Sequence, residues 1–107
     1  MKLHVLIRDD LSPPWLTEAT DVQRAVYKGV QGGHAVSEWM LLGDDRWQNH
    51  TLVYLKVKDE RELKKWFKRL SDEGVTCAPF HEPDVGDEMT AFAVFGAGDA
   101  LSKLPLL

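Results

Sequence analysis

The chain has 107 residues, the length of one domain, and a chain of this size buries about two-thirds of the surface that it exposes when unfolded. Its only cysteine, Cys77, cannot form an intramolecular disulfide, which predicts a fold independent of oxidation and a cytoplasmic location. Thirteen basic and 17 acidic residues give a formal net charge of -4, which argues against a general nucleic-acid-binding surface because such surfaces are usually basic.

The first apolar segment, Leu3 to Ile7, has the period of two that is typical of a strand and predicts strand one over residues 2–8. The segment is far too short for a signal-peptide core or a membrane span, so we expect no membrane association. Residues 9–20 follow as a loop, because Pro13 and Pro14 prevent regular helix or strand pairing. A loop of about a dozen residues more often has a function than serves only as a connection.

A capping-box pair, Thr20 and Gln23, predicts that helix one begins near Asp21 and runs to about Leu42. Apolar residues and glycines recur along it at spacings of three and four, which favours this side as the one facing the core. The stripe comprises Val22, Val26, Gly29, Gly33, Val36 and Met40.

The other side of helix one is predicted to be mainly polar. Its residues are Arg24, Lys28, Gln31, Ala35 and Glu38, with Tyr27 and His34 at the edge of the apolar stripe. Gly29, Gly32 and Gly33 each cost about 1 kcal/mol of helix propensity relative to alanine. They indicate either a close approach by another backbone or a ligand, or a helix interrupted near Gly32.

Alternating residues from Thr51 to Val57 predict strand two. Asp59 and Glu62 form an acidic counterpart of the capping box and predict helix two over about 60–73, closed by Gly74. The apolar stripe of helix two consists of Leu63, Trp66, Phe67 and Leu70.

The last third of the chain contains two predicted strands. Val75 to Phe80 reads as strand three, and Met89 to Phe95 is apolar apart from Thr90, which is typical of a central strand buried on both faces. The loop over residues 82–88 holds four carboxylates but matches no metal-binding pattern, so we expect it to be solvated. A short helix is predicted from Asp99 to about Lys103.

These elements predict an α/β fold with a four-stranded mixed β-sheet and helices packed on it, in one domain over residues 1–107. Helical crossovers after strands one and two imply parallel neighbours, whereas the short link between strands three and four permits an antiparallel pair. The sequence leaves open whether the chain forms a homodimer.

Four segments of the chain resemble the type II peptidyl-tRNA hydrolases in sequence and in order. They are Val5–Leu11, Gln31–Ala35, Trp47 with Val53–Leu63, and Thr90–Gly96. The Gln31-x-x-His34-Ala35 match is the most specific of the four. The resemblance implies the family's fold and a metal-free and cofactor-free general acid/base hydrolysis of the ester between peptide and tRNA.

The resemblance also implies a catalytic set. Gln31, His34 and Thr90 match the family pattern directly, whereas the family's lysine falls on Tyr27, one residue before Lys28. The family's aspartate loop is replaced by Glu82-Pro83-Asp84. Water activation, proton transfer and oxyanion stabilisation would then involve Lys28, Gln31, His34, Glu82, Asp84 and Thr90.

Two functions remain open at this point. As a hydrolase, the chain would hold the tRNA acceptor end on the basic side of helix two, formed by Arg61, Lys64, Lys65, Lys68 and Arg69, although a solvated helix face explains the same residues. As an inactive family member, it would bind a nucleotide, another small ligand or a protein partner. Trp15 is the best candidate to stack on a base.

Overall fold

The structure, a computed structural model that describes residues 1–107, has four strands and two long helices in the predicted order. The elements are β1 (Leu3–Arg8), α1 (Asp21–Leu41), β2 (Leu52–Val57), α2 (Glu60–Asp72), β3 (Cys77–Glu82), a 3-10 turn (Pro83–Val85) and β4 (Glu88–Phe95). The four strands form one mixed sheet with the two helices packed on it. The predicted α/β fold class is therefore confirmed.

The strand order in the sheet is β2-β1-β4-β3. β1 pairs parallel to β2, while β4 runs antiparallel to both β1 and β3. The prediction that each helical crossover joins neighbouring strands is correct for β1 and β2 but wrong for β2 and β3, which lie at opposite edges. The reason lies in β4: seven of its eight residues are buried, and this apolar strand takes a central place between β1 and β3.

The core has two parts, one on each face of the sheet. On one face, Leu3, Val5 and Ile7 of β1 pack with residues of α1. On the other face, Leu63 and Leu70 of α2 are fully buried against the sheet, and the ring of Phe67 meets that of Phe92 edge-on at 5.5 Å. The predicted packing of helix two on the last strand is confirmed.

The predicted buried side of α1 is wrong. Val22, Val26 and Met40 are 72%, 61% and 61% exposed. The sheet instead contacts the side that carries Tyr27, Gln31, Gly32, Ala35 and Trp39. A ladder at positions i, i+4, i+8 and i+12 places two large aromatic side chains on the sheet, and burying them removes more apolar surface from water than valines and glycines would.

Gly32 is the point of closest approach between α1 and the sheet. A Cβ atom there would lie 2.7 Å from the Tyr54 ring and 2.8 Å from Cδ1 of Ile7. The predicted close contact is therefore found at this glycine, although side chains rather than a backbone or ligand make it. Gly29 and Gly33 face open space, and α1 continues without interruption.

The ends of several elements differ from the prediction. β3 begins and ends two residues later than predicted, because its hairpin with β4 extends to a pair between Glu82 and Glu88, past a bulge after Phe80. The short helix predicted from Asp99 is replaced by turns, and Leu106 forms an isolated bridge with Leu55 of β2. Neither long helix has the combination of length and apolar content that spanning a bilayer requires.

Candidate functional site

A pocket of about 460 Å³ lies between the loop of residues 9–20, the N-terminal half of α1 and the end of β3. We call it the Trp15 pocket. One wall is apolar and consists of Pro13, Trp15, Leu16, Val22, Val26 and Val30. The polar end consists of Tyr27, Gln31, His34, Glu82 and Asp84, with Gln23 also at the lining. An apolar wall with a few converging polar groups is typical of small-ligand sites.

Local sequence explains why α1 and the loop enclose this space. The predicted capping box is formed: the amide of Gln23 donates to Oγ1 of Thr20 at 3.1 Å, and the amide of Thr20 donates to Oε1 of Gln23 at 2.9 Å. These bonds fix the start of the helix. Pro13 is buried and anchors the loop, which leaves Trp15 66% exposed at the pocket.

A buried hydrogen-bond chain joins α1 to two strands behind the pocket. Oγ1 of Thr90 donates to Oε1 of Gln31 at 2.7 Å, and Nε2 of Gln31 donates to Oε1 of Glu82 at 3.0 Å. Gln31 and Thr90 are fully buried and Glu82 is 8% exposed. These two hydrogen bonds fix the orientation of the Gln31 amide and hold the Glu82 carboxylate at the polar end of the pocket.

Tyr27 brings an unpaired hydroxyl to the same end. The residue is 5% exposed, and its buried oxygen makes no hydrogen bond. Burial raises the pKa of the Tyr27 hydroxyl, and the negative charges of Glu82 and Asp84 raise it further against the opposing charge of Arg8. The ring of Trp15 contacts the Tyr27 ring edge-on, with 5.6 Å between centroids. A buried hydroxyl without a partner costs about 1–3 kcal/mol, so this group is a candidate for ligand contact.

His34 and Asp84 complete the polar end. The imidazole of His34 is half-buried and stacks on the ring of Phe80 at 4.5 Å between centroids. Asp84 is exposed in the 3-10 turn that follows β3. Neither side chain forms an ion pair within the chain. Both side chains are therefore free to contact a ligand.

Two residues of the predicted catalytic set do not line the pocket. Lys28 Nζ lies 2.9 Å from Oδ1 of Asp9, where the hydrogen bond from Lys28 holds the pKa of the Asp9 carboxyl below its usual value. Thr90 is fully buried behind Gln31. The structure thus brings Gln31, His34, Glu82 and Asp84 together, connects Thr90 to them indirectly, and separates Lys28 from them.

Arg8 lies in the first segment of the resemblance, where it has no assigned role, and the structure buries its charge. Its guanidinium binds both carboxylate oxygens of Asp10 at 2.9 and 3.1 Å and lies 2.7 Å from Oε1 of Glu88. Burial acts to lower the pKa of Arg8, but hydrogen bonds and charges from the two carboxylates outweigh it and raise the pKa. The carboxylates of Asp10 and Glu88 are partly exposed, and an arginine that ends an apolar strand and is followed by acidic residues is the sequence signal for such a cluster.

The basic side of α2 lies on the opposite face of the sheet from the Trp15 pocket. Three of its five cations pair with acids one turn away: Lys64 with Glu60, Lys68 with Asp72, and Arg69 with Glu73. A groove of about 970 Å³ along this helix is lined by five basic and four acidic residues together with Trp66. The surface is therefore of mixed charge, and the groove's cations without an ion pair are Lys58, Arg61 and Lys65.

No group of three or more histidine, cysteine, aspartate or glutamate side chains is arranged to hold a metal ion. Glu82 and Glu88 pair across the hairpin, but their side chains bind different partners: Glu82 contacts Gln31 and Glu88 contacts Arg8. No protein-family model matches the chain, and a search of curated proteins finds no significant match. The function therefore has to be inferred from the geometry of the site.

Proposed function

We propose that the chain is a type II peptidyl-tRNA hydrolase-like domain that binds a small ligand in the Trp15 pocket and does not hydrolyse peptidyl-tRNA. The observation that carries the proposal is the position of Lys28, whose ammonium group pairs with Asp9 outside the pocket. In the resemblance, the family's lysine falls on Tyr27, which brings a neutral hydroxyl to the pocket instead. Lys28 carries the only ammonium group of the expected catalytic set, and this group lies outside the pocket.

The charge of the molecule supports the same proposal. A tRNA acceptor end carries phosphates, whereas Glu82 and Asp84 make the polar end of the pocket acidic. The basic side of α2 is partly neutralised by its own acids and lies across the sheet from the pocket. Exposed charges are screened over about 8 Å at physiological salt, so this helix gives little electrostatic attraction at the pocket.

A hydrolase is the second candidate, and one observation favours it. The hydrogen bonds that link Thr90, Gln31 and Glu82 lie beside His34. Of these residues, Gln31, His34 and Thr90 match the family pattern. Such a network could position a water molecule and take its proton, a contribution of about two to four orders of magnitude in rate. Hydrolysis by this set would require Lys28 to leave Asp9, or to be dispensable.

Incubation of the purified protein with peptidyl-tRNA at low and moderate salt separates the two functions. We expect release of free tRNA at the rate of buffer alone. Faster release by the parent protein, depressed at least tenfold by His34→Ala, would establish the hydrolase and overturn the proposal. The effect of Lys28→Ala would then show whether Lys28 takes part in that hydrolysis. Lys103→Ala and His81→Ala are matched controls, because both residues lie outside the pocket and its hydrogen-bond chain.

A further inference from the structure

We propose that the Trp15 pocket selects an organic cation, with an ammonium or guanidinium head at Glu82 and Asp84 and an apolar body against the valines of α1. This inference rests on the proposed ligand-binding function and specifies the chemistry of the ligand. It rests on three observations: the buried Glu82 carboxylate has no counter-charge, the buried Tyr27 hydroxyl has no hydrogen-bond partner, and one wall of the pocket is apolar.

The pocket has acidic groups and no lysine or arginine in its lining. Nearby cations are already bound elsewhere, since Arg8 pairs with Asp10 and Glu88, and Lys28 pairs with Asp9. Glu82 is 8% exposed and has a neutral amide as its side-chain partner. A buried carboxylate without a counter-charge is unfavourable, so a cation that enters the pocket relieves this cost, whereas a phosphate or carboxylate adds to it.

The remaining polar groups also favour a head group rich in hydrogen-bond donors. The oxygen of Tyr27 is buried without a partner, so a ligand N–H that reaches it would supply the missing hydrogen bond. The carboxylate oxygens of Glu82 and Asp84 are acceptors as well. Three acceptors at one end of the pocket match an ammonium or guanidinium group, which has only donors.

The walls suit the rest of such a ligand. Val22, Val26 and Val30 follow one another at intervals of four residues along α1 and give a continuous apolar surface. Trp15 is the exposed tryptophan of the chain, and its ring adjoins that of Tyr27 at an interplanar angle of 77°. Cations are attracted to the faces of such rings. A volume of about 460 Å³ fits a small molecule with one ring and a short amine chain.

Three probes of similar size and different charge test the inference. 2-Phenylethylamine is the cation, 2-phenylethanol the neutral compound and 3-phenylpropionate the anion, and AMP represents a nucleotide. Dissociation constants measured by calorimetry at pH 7 should be at least tenfold lower for the amine than for the anion or AMP. A blocked tripeptide with a central lysine, compared with its norleucine counterpart, shows whether a protein side chain supplies the same head group.

Variants assign the effect to the pocket. Glu82→Gln and Asp84→Asn should each weaken amine binding at least fivefold more than they weaken 2-phenylethanol binding. Asp45→Asn is the matched control, because Asp45 is an exposed carboxylate outside the pocket. Circular dichroism of each variant verifies that it is folded, and Asp84→Asn, at an exposed position, keeps the test valid if Glu82→Gln does not fold.

The outcomes distinguish this inference from the proposed function. The selection of a cation is overturned if the anion or AMP binds as tightly as the amine or more tightly. It is also overturned if neither carboxylate variant changes amine binding. In both cases the proposed ligand-binding function still stands. Absence of binding by every probe, or hydrolysis of peptidyl-tRNA, contradicts the proposed function itself.

Discussion

Gln31 satisfies two buried groups at once, accepting from the Thr90 hydroxyl and donating to the Glu82 carboxylate. Replacement by alanine leaves both partners unpaired, so we expect Gln31→Ala to lower the free energy of unfolding by about 1–3 kcal/mol. Denaturant titration measures the change. Gln48→Ala serves as control, because Gln48 is exposed and should change stability by less than about 0.5 kcal/mol. Equal stabilities for the two variants would contradict the buried chain.

The pair between Lys28 and Asp9 predicts a pH dependence. The pKa of Asp9 is held below its usual value of 3.8 mainly by the hydrogen bond from Lys28, against an opposing effect of burial. A carboxyl whose pKa is lower in the folded state contributes stability above its unfolded pKa, and this is lost as the pH falls through the folded value.

We therefore expect the parent protein to exceed Asp9→Asn in stability at pH 7 by about 0.2–1 kcal/mol, because the pair is partly exposed. The difference should shrink below about pH 4. Thermal or denaturant unfolding from pH 2 to pH 7 measures it. Asp45→Asn, at an exposed position without an ion pair, should show no such trend. A difference that persists at pH 2 would argue against the ion pair.

At the scale of the helix, the three glycines of α1 differ in their surroundings. We expect Gly32→Ala to destabilise the protein, because the added Cβ would press on the side chain of Ile7, which is fully buried and cannot move away. Overpacking of this kind costs about 1–3 kcal/mol. The gain in helix propensity, about 1 kcal/mol, offsets part of that cost. Gly29→Ala and Gly33→Ala face open space and should stabilise it by about 0.4–1 kcal/mol. Melting temperatures of the three variants test this, and a stabilising Gly32→Ala would contradict the close packing of α1.

The elements themselves were predictable because their signals are local. Capping residues at Thr20 and Asp59 mark the helix starts, and both side chains accept the expected backbone hydrogen bonds. The apolar sequence of β4 predicts its central place, which the structure confirms.

Long-range packing was not predictable in the same way. Helix α1 has a valine-rich stripe and a separate side with Tyr27 and Trp39. Only the sheet decides between them: it accepts Tyr27 and Trp39, together with Gln31, and leaves Val22 and Val26 exposed. The positions of β2 and β3 at opposite edges likewise depend on the insertion of β4 between β1 and β3, which no local sequence pattern predicts.

The candidate site was predictable in part. The resemblance groups Gln31 and His34 with Glu82 and Asp84 in one catalytic set, and the structure brings these four side chains to one pocket. The partner of Lys28 and the unpaired hydroxyl of Tyr27 could not be foreseen, because each depends on which way a side chain points after packing. The valines of α1 could not be predicted to form a pocket wall, because this depends on which side of the helix faces the sheet.

At the scale of the whole molecule, the sheet separates two surfaces of different character. The Trp15 pocket lies on the α1 face, whereas the mixed-charge groove lies along α2 on the other face. A ligand that enters the pocket should therefore leave α2 undisturbed. This separation allows the position of a bound ligand to be determined without any substitution.

The most direct test is a nuclear magnetic resonance titration of the isotope-labelled protein with 2-phenylethylamine. We expect saturable shifts that cluster at four residues around the pocket, Trp15, Val26, Tyr27 and His34, while the signals of Arg61 and Lys65 in α2 stay unchanged. Shifts confined to α2, or no saturable shifts at any amine concentration, would contradict a ligand site in the Trp15 pocket.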